Sequence, residues 1–307
     1  MTMRLEGHAM ENIINSVNAA IWSNWLVFLC LGAGVYFSCV TLFLQVRCFP
    51  DMIRQLKSGE DSAAGISSFQ SLMISLAGRV GVGNIGGVAT AIAFGGPGAV
   101  FWMWIVAFLG SATSYVECCL AQIYKEKDQD TGEYRGGPAY YIEKAYRHTA
   151  ARPFALVYAI VFAVSMILAT SYFLPGVQAN GLATSVEHAW SVPTWVTAVA
   201  MVVLLGIIVI GGVKRIAWFA SMVVPFMAVI YILVAIVVLF ANASQIPEVF
   251  GLILRSAFDK EAAFSGMLGF AIMWGVKRGI YSNEAGQGTG PQSAAAAEVS
   301  HPAKQGF

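Results

Sequence analysis

Long apolar runs separated by short charged stretches set the pattern of this chain. A bilayer core of about 30 Å is crossed by roughly 20 helical residues, and the runs have that length. They predict a leading helix near 20–44 and six core spans near 69–94, 98–124, 153–176, 193–212, 216–241 and 263–297. The expected architecture is an all-α polytopic membrane protein with a single transmembrane domain over 1–307. No small-residue cleavage site follows the first apolar run, so the leading helix is read as retained. The first and sixth core spans differ from the others: both are rich in glycine and carry charge at mid-depth.

Composition agrees with the pattern. Hydrophobic residues make up 57% of the chain and charged ones 11%, against about 25% charged in soluble domains. Alternating crossings place 45–68, 125–152, 213–215 and the tail after 297 on one side, with twelve Lys and Arg residues. The other side holds three, Arg4, Arg255 and Lys260. The bias puts the N-terminus outside and the 125–152 loop in the cytoplasm, where "GGPAYYIEKAYR" predicts a short surface helix. Lys214 and Arg215 mark a cytoplasmic stop. Cys30, Cys39, Cys48, Cys118 and Cys119 lack metal-binding spacing and read as small core residues. His8, His148, His188 and His301 lie outside the spans, so neither a metal site nor a proton relay is expected.

The first span contains Gly81-x-Gly83-x-x-Gly86, the spacing of a dinucleotide loop. That reading fails on context: a membrane span precedes the motif, and the first acid after it is Glu117, far beyond the usual ribose-binding distance. Glycines at 83 and 87 also fit close helix packing. Yet five glycines within 78–87, at about 1 kcal/mol each against alanine, weaken a continuous helix, and packing gives no reason for Arg79 at mid-depth. An interrupted helix explains both.

The segment Arg79-Val-Gly-Val-Gly-Asn84-Ile-Gly-Gly87 is echoed by Arg278-Gly-Ile-Tyr-Ser-Asn283-Glu-Ala-Gly286. Both read R-x4-N-x2-G, and they lie an odd number of spans apart, so they cross the membrane in opposite directions. Paired interrupted helices in an inverted repeat point to a transporter binding site. Half-helix N-termini offer N–H groups to a carboxylate and C-termini offer carbonyls to a cation. The expected ligand is a small zwitterion together with a cation. A membrane enzyme is disfavoured, because no Ser-His-Asp, Cys-His or HExxH grouping occurs in the spans. A channel-like or non-transporting membrane protein remains the alternative class.

"GRVGVGNIGGVATAIAFGGPGAVFWMW", "GGPAYYIEKAY" and "RGIYSNEAGQGTGPQSAAAAEVSHPAKQG" closely resemble the sodium:alanine (alanine or glycine:cation) symporter family, with similarity along the whole chain. The resemblance implies a leucine-transporter-type inverted-repeat fold. An N-terminal helix would precede a first five-helix repeat over 69–241 and the start of a second over 263–307. It implies sodium-driven symport of alanine, glycine or a similar small amino acid across a prokaryotic plasma membrane, with sodium as coupling ion, no other cofactor and no nucleic acid partner. Proton coupling is the alternative. Family members continue for several more helices, so the chain is expected to be truncated at its C-terminus and to lack part of a sodium site.

On the resemblance, Gly81, Val82, Gly83, Asn84, Ile85 and Gly86 form the first break, and Ser282, Asn283, Glu284, Ala285, Gly286, Gln287, Gly288 and Thr289 the second. Gly81, Asn84, Ser282 and Asn283 are the expected sodium ligands. The rival role for Asn84 is to cap a half-helix. Pro291 suits the first turn of the helix that restarts. Arg79 and Arg278 repel a substrate amine and are expected to pair with Glu117 and Glu284 as a gate or brace; the equal alternative is that Glu117 simply lies near the cytoplasmic end beside Lys125. Thr170, Tyr172, Gln178 and Asn180, on the third span, are candidate pocket residues, with a kink expected at Pro175-Gly176.

Overall fold

The computed structural model describes residues 2–57, 65–258 and 267–307; Lys260 and positions 263–266 of the sixth span fall outside the described residues. The described residues are almost entirely helical. Helix α1 (Thr2–Ile21) and α2 (Asn24–Val40) together exceed the predicted leading helix, with a break at Trp22–Ser23; short α3 (Leu44–Arg47) and α4 (Phe49–Lys57) follow. The first core span is two helices, α5 (Ser68–Arg79) and α6 (Val82–Gly95), bent by 41°. Helix α7 (Gly98–Tyr124) is the second span, with the predicted bounds.

A small hairpin, β1 (Glu126–Lys127) with β2 (Tyr134–Arg135), and α8 (Pro138–Ala145) form the next loop, and α8 is the expected short helix. The third span is longer than its apolar pattern implied. Helix α9 (Arg152–Leu168), a π-turn at Ala169–Phe173 and α10 (Leu174–Trp190) run on as one rod of 39 residues. Pro175 lacks an N–H, so a helix through it loses a rung. The wide turn lies immediately upstream and absorbs that fault; the chain continues helical past Gly176.

Helices α11 (Thr194–Val209) and α12 (Gly212–Ala241) complete the set, followed by α13 (Ile246–Phe258), which the apolar pattern missed. The sixth span is again split, into α14 (Met267–Asn283) and α15 (Thr289–Ala296); α16 (Pro302–Gly306) closes the described chain. Among the described residues, four helices are long and apolar enough to cross a membrane, or five counting the bent α5–α6 pair. Much of α11 and α12 presents exposed apolar side chains, including Val202, Phe226 and Ile230; in a bilayer such faces meet lipid or protein at little cost.

Helix α7 is the post against which α2, α13, α14, α15 and α16 pack. Its seam with α2 and α14 is built on Val27, Val106, Val276 and Ile280, and on glycines that let main chains approach. A Cβ on Gly275 would lie 2.6 Å from the Ala99 carbonyl oxygen, and one on Gly279 2.9 Å from Val106 Cβ. A second seam joins Met73 of α5 to Ala220 and Val224 of α12.

The four segments assigned to the basic side meet at one end of the molecule. Ile66 N–H donates to the Ala296 carbonyl and Glu298 N–H to the Ile66 carbonyl, both at 3.1 Å. Lys125 Nζ donates to the Ala297 carbonyl at 2.6 Å, and Lys214 reaches Glu133 at 3.8 Å. Arg135 clasps Asp128 at 2.9 Å and Lys144 clasps Glu126 at 3.0 Å across the loop. The Lys144 hydrogen bond holds the Glu126 carboxyl below its ordinary range.

Candidate functional site

The two split spans lie side by side and antiparallel: α5, the first half of one, packs on α15, the second half of the other, while α6 packs on α14. Ser75 and Ser293 hydroxyls join the α5–α15 pair at 2.8 Å. The breaks therefore fall at the same level. Helix α5 begins at a capping box in which Ser67 and Gln70 exchange hydrogen bonds of 3.0 and 3.1 Å.

The first break is narrower than the sequence implied. Only Val80 and Gly81 are non-helical; Val82, Gly83, Asn84, Ile85 and Gly86 belong to the opening turns of α6. The later glycines serve as close-packing positions. A Cβ on Gly83 would meet the Tyr281 hydroxyl at 2.9 Å, and one on Gly87 would meet Arg278 Nη1 at 3.4 Å. The helix stops where it does because Asn84 Nδ2 donates to the Arg79 carbonyl at 2.5 Å, while Val82 N–H donates to Gln178 Oε1 at 2.9 Å. A side chain from α6 and one from α10 thus each take a polar group that unwinding frees.

The second break runs over Glu284–Gly288, with positive φ at Glu284, Gly286 and Gly288. Glu284 at φ +57° is the costly one, since it carries a side chain in the left-handed region. Its conformation is held from several sides. Thr289 Oγ1 donates to Glu284 Oε2 at 2.7 Å, Gly286 N–H donates to Glu117 Oε2 at 3.0 Å, and Gln287 Nε2 donates to the Ile280 carbonyl at 3.1 Å. Thr289 already opens α15, and Pro291 sits in its first turn as expected.

Some expected partnerships do not form. No described carboxylate lies within 4.0 Å of Arg79 or Arg278, so the anticipated gating pairs with Glu117 and Glu284 are not closed in this structure. Glu117 is instead engaged by the second break, and Arg79 Nη2 donates to Ser114 at 3.3 Å with its buried Nε unpartnered. Asn283 is committed to packing: its Nδ2 donates to the Val106 carbonyl at 3.0 Å, and its Oδ1 accepts from Ala285 N–H at 2.9 Å. These bonds fix the side chain, while Oδ1 keeps a second acceptor position. Thr170 turns its hydroxyl to the Met166 carbonyl within its own helix. Gly288 is buried under Phe162 and Pro138, away from the other candidates.

What the structure does bring together is smaller and better defined. Asn84 and Ser282 line one narrow slot with Gly83, Tyr281 and Arg278. The Asn84 side-chain oxygen is buried there without a hydrogen-bond partner, the condition of an oxygen that a cation would satisfy. Beside the slot opens a cavity of about 770 Å³, walled by Val82, Gly83, Gly86, Tyr172, Asn180 and Arg278 among others. Gln178 reaches further than its place beyond Pro175-Gly176 implied, because the third span stays helical past the kink position. Tyr281 and Thr90 escaped the sequence reading; their only signal is that each sits one turn from a motif residue.

Glu117 also faces the loop side. Burial pushes the Tyr141 phenol on α8 well above its ordinary range, and the Glu117 carboxylate adds to the rise. Its hydrogen bond to Gly286 gives a direct test. Glu117→Leu removes the acceptor of the exposed Gly286 N–H and should lower stability by about 1 kcal/mol, read as a lower Tm in detergent. Glu117→Gln keeps an acceptor and should melt near the parent. Equal melts for all three proteins would remove this brace.

A profile of the sodium:alanine symporter family matches residues 7–307. The chain is 55% identical over 298 residues to a putative sodium/proton-dependent alanine carrier protein of Bacillus subtilis, covering 97% of this chain and 60% of that protein. It is 46% identical to a probable sodium/glutamine symporter of the same organism, over 97% of this chain and 61% of the other. A sodium/alanine symporter of Methanococcus maripaludis is 40% identical, over 96% and 65%. The chain thus spans about three fifths of the length of the curated relatives it matches. These relatives are transporters rather than enzymes, and the several apolar helices make this a multi-pass membrane protein. With two split spans at its centre and a family profile covering nearly all its residues, the chain belongs to the sodium:alanine symporter family.

Proposed function

We propose that this chain carries the central binding elements of a sodium-coupled symporter for alanine, glycine or a similar small amino acid, set in a prokaryotic plasma membrane with its N-terminus outside. The reading is supported above all by the slot between the breaks, where an unpartnered, buried Asn84 oxygen lies beside Ser282. Sodium is a hard cation that favours oxygen ligands. Asn84 Oδ1 and the Ser282 hydroxyl would supply side-chain oxygens, with Gly81 and Asn283 contributing main-chain carbonyls.

The substrate reading follows from helix polarity. The N-terminus of α6 carries partial positive charge, so the Gly81–Gly86 turn would hold a carboxylate, with Val82 N–H shared with Gln178 and Asn84 and Ile85 N–H turned to the Gly81 carbonyl. Gln178, which accepts from Val82 N–H in this structure, would position that turn and contribute its amide to the ligand. Ser282, Glu284, Gly286, Gln287 and Thr289 would shape the opposite wall. Two split spans of opposite direction, as in an inverted repeat, allow access to alternate by rocking around the fixed site.

The test is uptake by the full-length product of the gene encoding this chain, reconstituted in vesicles. Alanine accumulation driven by an inward sodium gradient, and lost when potassium replaces sodium, is the expected result. Accumulation indifferent to sodium but driven by a pH gradient would transfer the coupling to protons, a reading favoured by the sodium/proton-dependent name of one relative. In the same assay Gln178→Leu should raise the KM for alanine about tenfold, the effect of losing roughly 1.4 kcal/mol of hydrogen bonding. An unchanged KM would make Gln178 a bystander.

A further inference from the structure

Arg278 is the least explained charge in the molecule. It lies on α14 six residues before the second break, within a predicted span, where a basic side chain is costly unless it meets a partner or a watery cavity. The sequence calls for a carboxylate beside it, yet none of the described acids is within 4.0 Å and the guanidinium makes no hydrogen bond to the described chain. The guanidinium is flanked by the rings of Trp274 and Tyr281, each 6.0 Å from its central carbon. It rests against the bare Cα of Gly87, where a Cβ would sit 3.4 Å from Nη1. Aromatic flanks and a glycine floor hold the planar group in place without using its N–H donors.

Beside Arg278 lies the large cavity near the breaks. Arg278 walls both the 770 Å³ cavity and the slot holding Asn84 and Ser282, so it borders both spaces. The cavity lies within the roughly 300–1,000 Å³ range of small-molecule sites. A fixed arginine fork facing such a space is built for bidentate contact with a carboxylate, and its charge repels an ammonium group. The geometry points to Arg278 as a docking site for the α-carboxylate of the incoming amino acid, occupied before the ligand moves to the breaks: the acid partner the sequence demands is the substrate itself. The ligand enters carboxylate first, with its amine turned toward neutral lining residues such as Tyr172 and Asn180. Substrates lacking a carboxylate, such as amino-acid amides, are excluded at this step.

This inference rests on the amino-acid symport reading, and the experiment separates the two. The full-length gene product, reconstituted in vesicles, is assayed for sodium-driven alanine uptake beside Arg278→Gln and Arg278→Lys. Arg278→Gln should raise the KM for alanine about tenfold with Vmax within about twofold, and Arg278→Lys should fall between, because lysine keeps the charge but not the fork. A loss of Vmax at unchanged KM, or no change in either, overturns the docking role. A second measurement needs no variant: phenylglyoxal labelling of Arg278 in the parent protein, read by mass spectrometry, should be slowed by L-alanine and not by alaninamide. Equal protection by both, or by neither, overturns the inference even if Arg278→Gln fails to fold. Absence of sodium-driven uptake by the parent would instead count against the symport reading, while alanine-specific protection of Arg278 would still stand.

Discussion

Asn84→Leu should abolish sodium-driven uptake by the full-length gene product. The side chain has two jobs that separate cleanly. Its Nδ2 donates to the Arg79 carbonyl, closing the end of α5, and its Oδ1 is buried with no partner. Capping alone does not explain the second atom, because an unsatisfied buried oxygen costs about 1–3 kcal/mol and a smaller donor would close α5 without it. A cation in the slot shared with Ser282 turns that penalty into a ligand bond. Leucine removes both functions, and an uptake loss on the order of 100-fold corresponds to about 2.7 kcal/mol. Asn84→Asp distinguishes them, since it keeps the oxygen and loses the donor. It should retain sodium-dependent uptake with a shifted sodium requirement and a lower Tm. Parent-like sodium dependence in Asn84→Leu would remove this residue from the cation site and leave it a cap.

The residues that the sequence made legible are those whose chemistry conflicts with a membrane. Arginine at mid-depth beside clustered glycine is expensive in any unbroken helix, and both such places prove to be breaks. Helix α7 matched its predicted bounds because Pro97 and Lys125 bracket an uninterrupted apolar run. The extent of each break was not legible. Glycine-rich sequence is compatible with unwinding and with close packing alike, and which one occurs at Gly83 and Gly87 depends on Tyr281 and Arg278 arriving from another helix. For the same reason Glu117 could not be assigned from the chain alone. Its partner, the Gly286 N–H, is exposed by a backbone turn at positive φ that residue types permit but do not demand. Helix α13 escaped notice because it is amphipathic and too short to span a bilayer; it is fastened to α7 by Ser256 Oγ, which accepts from Gly98 N–H at 3.0 Å.

Gly275→Val should prevent the protein from accumulating in a folded state. At this point α14 and α7 touch through their main chains: a Cβ would lie 2.6 Å from both the Ala99 carbonyl oxygen and Trp102 Cβ. Ala99 is fully buried and Trp102 packs against Phe258, so neither can withdraw without moving α7 or α13. Overpacking of this kind costs about 1–3 kcal/mol for a single added methylene group and more where backbone must shift, and valine adds three carbons. The consequence reaches function because the same contact sets the height of α14. Trp274 stacks on Phe94 with centroids 5.0 Å apart, and one turn further on Arg278 and Tyr281 meet Gly87 and Gly83. Pushing α14 outward would part the two breaks and open the slot between Asn84 and Ser282. Gly206→Val on α11 is the matched control, since no atom lies within 4 Å of a Cβ there; it should leave yield and Tm near the parent. Size-exclusion profiles of fluorescently tagged variants decide the matter: a monodisperse Gly275→Val peak with a parent-like Tm would mean that α14 does not sit against α7 as described.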